Sequence, residues 1–74
     1  MEIIEISTPT IKLDQLLKWA GIADTGGQVR LFVDDGIVLL NGIKVHERRK
    51  TIHPGDVIEI KDIGIWKVMA ELKV

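Results

Sequence analysis

The spacing of the apolar residues changes at Gly36, from the period of a helix to the period of a strand. Before this point, one segment places apolar residues three, four and seven positions after the first, which puts all of them on one helix face. These residues are Leu13, Leu16, Leu17 and Ala20. They predict a helix near residues 11–20, which Gly21 ends because glycine adopts the left-handed conformation easily.

The second predicted helix has a clearer beginning. Thr25 and Gln28 form the T-x-x-Q pattern of a capping box, in which each side chain accepts a hydrogen bond from a free backbone N–H. Its buried stripe consists of Val29, Phe32 and Val33. Gly36 is expected to close this helix in the left-handed conformation, so we predict a helix over about residues 26–35.

After Gly36 the apolar residues favour strands. Asn41-Gly42 is a strong hairpin-turn signal between two apolar runs, and Pro54-Gly55-Asp56 predicts a second turn. The predicted strands are residues 2–6, 37–40, 43–45, 57–60 and 65–72. The last of them is a candidate partner of the first. The predicted fold class is α+β, with two helices packed on one side of a small, mostly antiparallel sheet.

The chain has 74 residues, of which 46% are hydrophobic and none is cysteine. This length fits one domain, and without disulfides its stability rests on packing. The longest apolar run, residues 37–40, is far shorter than the roughly twenty residues that span a bilayer, and residues 1–7 do not resemble a secretory signal. We therefore expect one cytoplasmic domain over residues 1–74 that is monomeric and makes no membrane contact.

Catalytic residues are hard to find in this sequence. It has one serine, Ser7, and no cysteine or tyrosine, and neither His46 nor His53 has a nucleophile at a recognisable spacing. With Glu47 and Asp56 nearby, the two histidines still match no metal-ligand spacing, so surface or turn positions are the simpler interpretation. We predict a protein that is not an enzyme and that needs no metal or other cofactor.

The positive charges are concentrated in one short segment. The chain carries a formal net charge of −1, whereas residues 44–50 carry +3, so the remaining residues sum to −4. The cations of this segment are Lys44, Arg48, Arg49 and Lys50. On a loop, each is suited to contact a phosphate, with release of counterions. A solvated loop tip is the competing interpretation, and composition alone favours it.

Two glycines follow the cap of the second predicted helix. Gly26 and Gly27 weaken its first turn by about 1 kcal/mol each relative to alanine. They also leave the N–H groups of that turn, which have no partner within the helix, accessible to an anion. Close packing against a neighbouring strand explains the two glycines equally well, so both interpretations stay open.

The first predicted helix carries a third candidate site. Lys12, Gln15 and Trp19 project from one flank beside the leucine stripe. Lys12 is suited to a phosphate and Trp19 to stacking on an unpaired base, a contact worth roughly 1–3 kcal/mol. More often, a tryptophan beside a leucine stripe lies at the edge of the core. Trp66, in an alternating strand, is predicted to be core.

Five sequence pieces occur together in an order typical of one family. They are Lys12-Leu13-Asp14, Thr25, Gly36, Val38 to Gly42, and Gly55-Asp56. In this order and spacing they resemble the alpha-L RNA-binding domain of the ribosomal protein S-four type, over about residues 11–60. The Gly-Gly pair, the Arg-Arg-Lys run and residues 63–68 look most like the small stand-alone bacterial members, such as the YaaA type.

The resemblance implies that the two helices and the adjoining hairpin loop form a basic surface that binds structured RNA, commonly ribosomal or transfer RNA. By position, it implies phosphate contacts for Lys12, Gln15, Arg30 and Lys44. Family members often have arginine directly after the helix cap and basic residues before the closing glycine. This chain departs from that pattern with Gly26 and the Asp34-Asp35 pair.

These departures predict that the RNA contacts are shifted toward residues 48–50, with the amides of the glycine pair in place of an arginine. The predicted function is a non-catalytic module that recognises the shape and backbone of a folded RNA, with ribosomal particles as candidate partners. The predicted RNA-binding residues are Lys12, Gln15, Thr25, Gly26, Gly27, Arg30, Lys44, Arg48, Arg49 and Lys50. The rival hypothesis is a protein-interaction module that uses an exposed sheet edge, which the net acidity and the β-branched residues favour.

Overall fold

The computed structural model describes residues 1–71, which form two helices and seven strands. The elements are β1 (Glu2–Ile6), β2 (Ile11–Lys12), α1 (Leu13–Trp19), α2 (Gly26–Asp34), β3 (Val38–Leu40), β4 (Ile43–Lys44), β5 (Thr51–Ile52), β6 (Val57–Ile60) and β7 (Gly64–Ala70). The predicted α+β class is confirmed. The last strand covers Gly64–Ala70, and its predicted end, Leu72, lies outside the described residues.

The main sheet has five strands in the order β1-β7-β6-β3-β4. Its pairs are antiparallel except β1 and β7, which run parallel with Glu2 opposite Trp66 and Ile6 opposite Ala70. The expected pairing of the first and last strands is therefore confirmed. A parallel pair needs a crossover connection, and both helices lie in the chain between β1 and β7.

The core lies between the helices and one face of the sheet. Its strand side chains alternate with exposed ones, as expected for a sheet with one buried face. The buried residues of the sheet are Ile4, Ile6, Val38, Ile58, Ile60, Trp66 and Val68. The buried apolar residues of the helices are Leu13, Leu16, Leu17, Val29 and Val33. Ala20 was expected in the leucine stripe but is exposed, because α1 ends one residue before it.

The predicted beginning of the first helix is wrong by two residues. Ile11 and Lys12 form β2, which pairs antiparallel with Thr51 and Ile52 of β5. Helix α1 begins at Leu13, and Gly21 follows it with a φ of 73°, as expected for a glycine at a helix end. The two-residue ladder matters for the site, because it holds the segment before β5 against the N-terminus of α1.

The second helix begins and ends close to the predicted positions. The Thr25 hydroxyl accepts a hydrogen bond from the Gln28 N–H at 3.2 Å, which is half of the predicted capping box. The other half differs, since the Gln28 side-chain oxygen accepts from the N–H of Asp24 and not from that of Thr25. Gly36 has a φ of 71° and follows the C-cap Asp35, so the predicted left-handed closure is confirmed.

The Asn41-Gly42 hairpin is tied to the later Gly-Asp turn by side chains. Asn41 and Gly42 have φ values of 52° and 84°, the positive values that a tight hairpin turn requires. The Asn41 amide donates to Asp56 at 3.1 Å and accepts from the Val57 N–H at 2.9 Å. Asp56 also accepts from the His53 N–H at 2.8 Å. The network joins the two ends of the segment that contains the cations.

Candidate nucleic-acid interface

Residues 46–50, hereafter the basic loop, lie across the N-terminus of α1. The N–H of Leu13 donates to the Lys50 carbonyl at 2.8 Å, and the N–H of Asp14 donates to the Arg48 carbonyl at 3.0 Å. The first N–H groups of a helix have no partner within it, so the loop backbone supplies two of the missing acceptors. The loop is therefore anchored through its backbone, which leaves its side chains available.

Asp14 and Arg49 add a second attachment between α1 and the basic loop. The Asp14 side chain is only 7% exposed, and one of its oxygens lies 3.7 Å from the Arg49 guanidinium, which is 58% exposed. Its other oxygen accepts from the Gln15 N–H at 2.9 Å. A buried carboxylate needs a cation or hydrogen-bond donors to offset its lost hydration. Arg49 therefore has a structural role as well as a surface position.

Arg48 reaches from the basic loop to the N-terminus of α2. A Cβ atom added at Gly26 would lie 3.7 Å from the Arg48 guanidinium, which is ordinary contact distance. A longer side chain at position 26 would compete with Arg48 for this space. Within residues 1–71, the N–H groups of Gly26 and Gly27 donate no hydrogen bond, whereas the Gln28 N–H is capped by Thr25. The site combines a guanidinium with two free amides.

Three cations share a groove on the other side of the basic loop. Lys12, Arg49 and Lys50 line this groove, of about 400 Å³, and the Lys12 ammonium donates to the Thr51 hydroxyl at 2.8 Å. Two carboxylates, Glu47 and Asp56, line it as well. The groove therefore contains charges of both signs, with three cations and two carboxylates.

Lys44 extends the basic surface in the direction of β4. Lys44 and Lys50 line a groove of about 290 Å³ that follows this strand past His46 and Glu47. The Lys44 ammonium also lies 3.0 Å from the Cβ position of Gly36, at the C-terminal end of α2. A cation near the C-terminus of a helix is stabilised by the helix dipole. Lys44 therefore lies at the margin of the basic surface and interacts with α2 at the same time.

Two of the predicted residues lie apart from this surface. Arg30 is exposed on α2 and pairs with Asp34 of the same helix at 3.8 Å, so part of its charge is offset. Gln15 is exposed on α1 and lines a different cleft, together with Lys18 and Trp19. The predicted grouping of Lys12, Gln15 and Trp19 on one flank is thus divided between two grooves, because Lys12 belongs to β2 and not to the helix.

The two tryptophans have opposite environments. Trp66 is 8% exposed, and its predicted core position is confirmed. Trp19 is 69% exposed, so the interpretation of this residue as core edge is wrong. Trp19 is the last residue of α1 and lies beside the leucine stripe, not on it, and its Nε1 donates to the Glu5 carbonyl at 3.1 Å.

Sequence reasoning assigned no role to two residues that shape the interface. Asp14 anchors Arg49, and Thr51 holds the Lys12 ammonium. A signal for Asp14 was present, because an acidic residue in the first turn of a helix is stabilised by the dipole. No comparable signal existed for Thr51, since its partner lies 39 positions earlier in the chain. Both histidines are exposed, as their surface interpretation expects.

Two further findings describe residues 1–71. They contain no group of three or more His, Cys, Asp or Glu residues in an arrangement able to hold a metal ion. Neither of their helices has the length and apolar character needed to cross a membrane.

Residues 4–68 match the S4 domain family. The chain belongs to this family. The resemblance to the S-four type of domain, drawn from five short motifs, is confirmed. The family match covers both helices, the hairpin, the basic loop and most of the last strand, so the interface described above lies wholly within it.

Individual relatives share this segment in proteins of different length. The chain is 35% identical over 66 residues to the "Probable ribosome maturation protein RlbA" of Bacillus subtilis, which covers 89% of this chain and 93% of that protein. It is 41% identical over 57 residues to the "Small ribosomal subunit protein uS4" of Kosmotoga olearia, which covers 77% of this chain and 27% of that protein. The same ribosomal protein of Aquifex aeolicus is 45% identical over 51 residues. The likeness to a small stand-alone member is therefore supported by nearly full-length coverage.

Proposed function

We propose that this chain is a non-catalytic RNA-binding module that acts in the cytoplasm on ribosomal RNA, within ribosomal particles or their precursors. One observation carries the proposal: the basic loop closes the N-terminus of α1 through its backbone and reaches the N-terminus of α2 through Arg48. Beside this loop, Lys12, Arg49 and Lys50 line one groove and Lys44 and Lys50 line another, in a chain whose other residues are acidic on balance. The family and the names of the relatives support RNA as the ligand.

The proposed contacts are with phosphates. Arg48 and the amides of Gly26 and Gly27 offer donors to one phosphate, since guanidinium groups and helix N-termini both bind such anions. Lys12 and Lys50 face the neighbouring groove and suit the next phosphates along a strand. Contacts to phosphates fix the position of the protein without reading bases, so recognition is expected to depend on the shape of the folded RNA. Transfer RNA is the second candidate ligand of this class.

Charge reversal on the basic loop tests the proposal. The variant Arg48→Glu with Lys50→Glu changes two side chains whose backbone carbonyls, and not their cations, hold the loop. Arg49 is left unchanged because its replacement would remove the cation that faces the Asp14 carboxylate. The matched control is Lys61→Glu with Lys67→Glu, which makes the same change in net charge at exposed positions of the β6–β7 hairpin.

The measurement is the affinity for fragments of ribosomal RNA across a range of salt concentrations. About three phosphate contacts predict that the wild-type affinity falls roughly 20- to 40-fold between 50 and 200 mM salt. The loop variant is expected to bind at least about tenfold more weakly with a smaller salt slope, and the control to bind like the wild type. Equal losses in both variants, or a flat salt response, would contradict the proposal.

Protein contact is the second candidate, and an exposed apolar surface favours it. The outer face of the sheet presents Ile3, Ile65 and Met69 to solvent, and β1 is an edge strand that pairs on one side only among residues 1–71. Edge strands can pair with a further strand from another chain. A pull-down after nuclease treatment separates the two functions, because partners held through RNA are lost whereas those bound to the sheet remain.

A further inference from the structure

A cleft of about 500 Å³ lies between the end of β1, the segment that follows it and one side of α1. Ile6 and Ile11 contribute apolar lining, Ser7 and Thr8 contribute hydroxyl groups, and Trp19 contributes its indole ring. The cleft is separate from the grooves of the basic loop and shares none of their lining residues. The phosphate contacts proposed above therefore do not use it.

Trp19 is held in a fixed orientation while its ring remains accessible. Its Nε1 donates to the Glu5 carbonyl at 3.1 Å, which satisfies the polar edge of the indole and ties it to β1. The side chain is nevertheless 69% exposed. A large aromatic ring is among the residues that gain most from burial. A ring that is oriented but left open is thus prepared to stack on a flat partner.

The other side chains of the cleft define the charge of that partner. Lys18 and Gln15 line the same side of α1 as Trp19, and no carboxylate of the described residues lines the cleft. Among residues 1–71, Lys18 forms no ion pair. The cleft therefore combines an aromatic plane, an apolar lining, an amide and an unneutralised cation. A flat, aromatic and anionic group complements all four, whereas an apolar peptide leaves the cation without a partner.

We infer that this cleft binds one unpaired nucleotide of the bound RNA, with its base stacked on Trp19 and its phosphate at Lys18. This inference rests on the proposed function, because it takes RNA as the ligand. The position along α1 supports it, since the helix runs from Leu13, which bonds to the basic loop, to Trp19, about 9 Å along its axis. A short single-stranded segment that leaves the basic loop spans this distance and enters the cleft.

Intrinsic fluorescence tests the inference directly, because the chain has two tryptophans and only Trp19 is accessible. The probe is a single-stranded oligoadenylate of six nucleotides, titrated into the Trp66→Phe variant. We expect quenching of Trp19 emission on binding. Where Trp66→Phe loosens the core, the difference between wild-type and Trp19→Phe emission reports the same event.

Trp19→Ala is expected to lower the affinity for this probe by about 5- to 150-fold, with Trp19→Phe retaining most of it. Lys18→Gln is expected to reduce the salt slope by about 0.7.

The two proposals fail in different ways. The variant Arg48→Glu with Lys50→Glu is expected to weaken binding of folded ribosomal RNA fragments while Trp19 quenching by the oligoadenylate persists. Unchanged Trp19 emission at a large excess of oligoadenylate, or wild-type affinity of Trp19→Ala, overturns the nucleotide cleft and leaves the basic surface untouched. Loss of a nuclease-resistant protein partner in Trp19→Ala, with oligoadenylate affinity unchanged, overturns it in favour of a peptide.

Discussion

The N-termini of the two helices have the same electrostatic character and opposite surroundings. At α1, the basic loop covers the first turn and its carbonyls accept from Leu13 and Asp14. At α2, the Thr25 side chain caps one N–H, and the amides of the two following glycines stay open beside the Arg48 guanidinium. One end is closed by the protein itself, and the other is accessible to an external anion.

This difference gives the two arginines of the basic loop different roles, one in stability and one in the proposed RNA binding. Arg49 points to the closed end, where it offsets a buried carboxylate, whereas Arg48 points to the open end. Adjacent arginines of the same sequence run thus differ in what their removal changes. Loss of Arg49 is expected to affect stability and loss of Arg48 to affect RNA binding.

The largest effect is expected at the closed end. Arg49→Glu places a second carboxylate beside Asp14, which is nearly buried. Like charges in a poorly solvated site repel, so we expect the free energy of unfolding to fall by about 3 kcal/mol, and by about 1–2 kcal/mol for Arg49→Ala. Urea denaturation followed by circular dichroism measures both values.

A double-mutant cycle provides the control for this prediction. Asp14→Asn removes the buried charge, so Arg49→Glu is expected to cost clearly less stability in that background than in the wild type. Arg48→Glu serves as the matched change at the neighbouring position and is expected to alter stability by less than about 0.5 kcal/mol. Equal costs for Arg48→Glu and Arg49→Glu would contradict the separation of the two arginines.

An intermediate effect is expected from moving the guanidinium at the open end. Arg48→Ala is expected to weaken RNA binding. Adding Gly26→Arg to this variant is expected to raise its RNA affinity about tenfold. The reason is geometric, because Arg48 lies within contact distance of a side chain at position 26. Filter binding with a ribosomal RNA fragment measures the rescue, and Gly26→Gln is the uncharged control. Rescue by glutamine to the same extent, or none by arginine, would show that the guanidinium at this end is not the binding group.

The smallest effect is expected from the cap of α2. Thr25→Ala removes the acceptor of the Gln28 N–H and is expected to lower the free energy of unfolding by about 1 kcal/mol, with Thr25→Ser close to wild type. Because the open amides then belong to a frayed turn, we also expect a loss of RNA affinity of about twofold to fivefold. A stability loss without any change in affinity would indicate that the amides of this turn do not contact the RNA.

The limits of sequence prediction are visible at the first helix. Its leucine stripe identified the buried face correctly, but Ile11 and Lys12 belong to a strand whose partner, β5, is remote in sequence. Periodicity within a segment reports which residues share a face and not which distant segment pairs with it. The two-residue strand was therefore missed, and with it the position of Lys12. Trp19 lies beside the stripe, and its exposure depends on what packs against that flank of α1, which periodicity does not report.

The candidate site shows the same limit. A charge count over residues 44–50 located the cations, and the glycine pair located the open helix end. Nothing local distinguished Arg48 from Arg49, since the distinction depends on Asp14 and Gly26 in two separate helices. The pairing of Arg30 with Asp34 could have been predicted from the sequence, because residues four apart lie on one face of a helix.

By itself, the sequence determined the helix and strand periods, the left-handed glycines, the hairpin turn and the short segment in which positive charge accumulates. These properties depend on backbone conformation and neighbouring side chains, which act over a few residues. The tertiary structure alone decided which helix end the basic loop closes, which arginine is tied to a buried carboxylate and which tryptophan remains exposed. Those outcomes depend on contacts between residues far apart in the chain, which exist only after the core has packed.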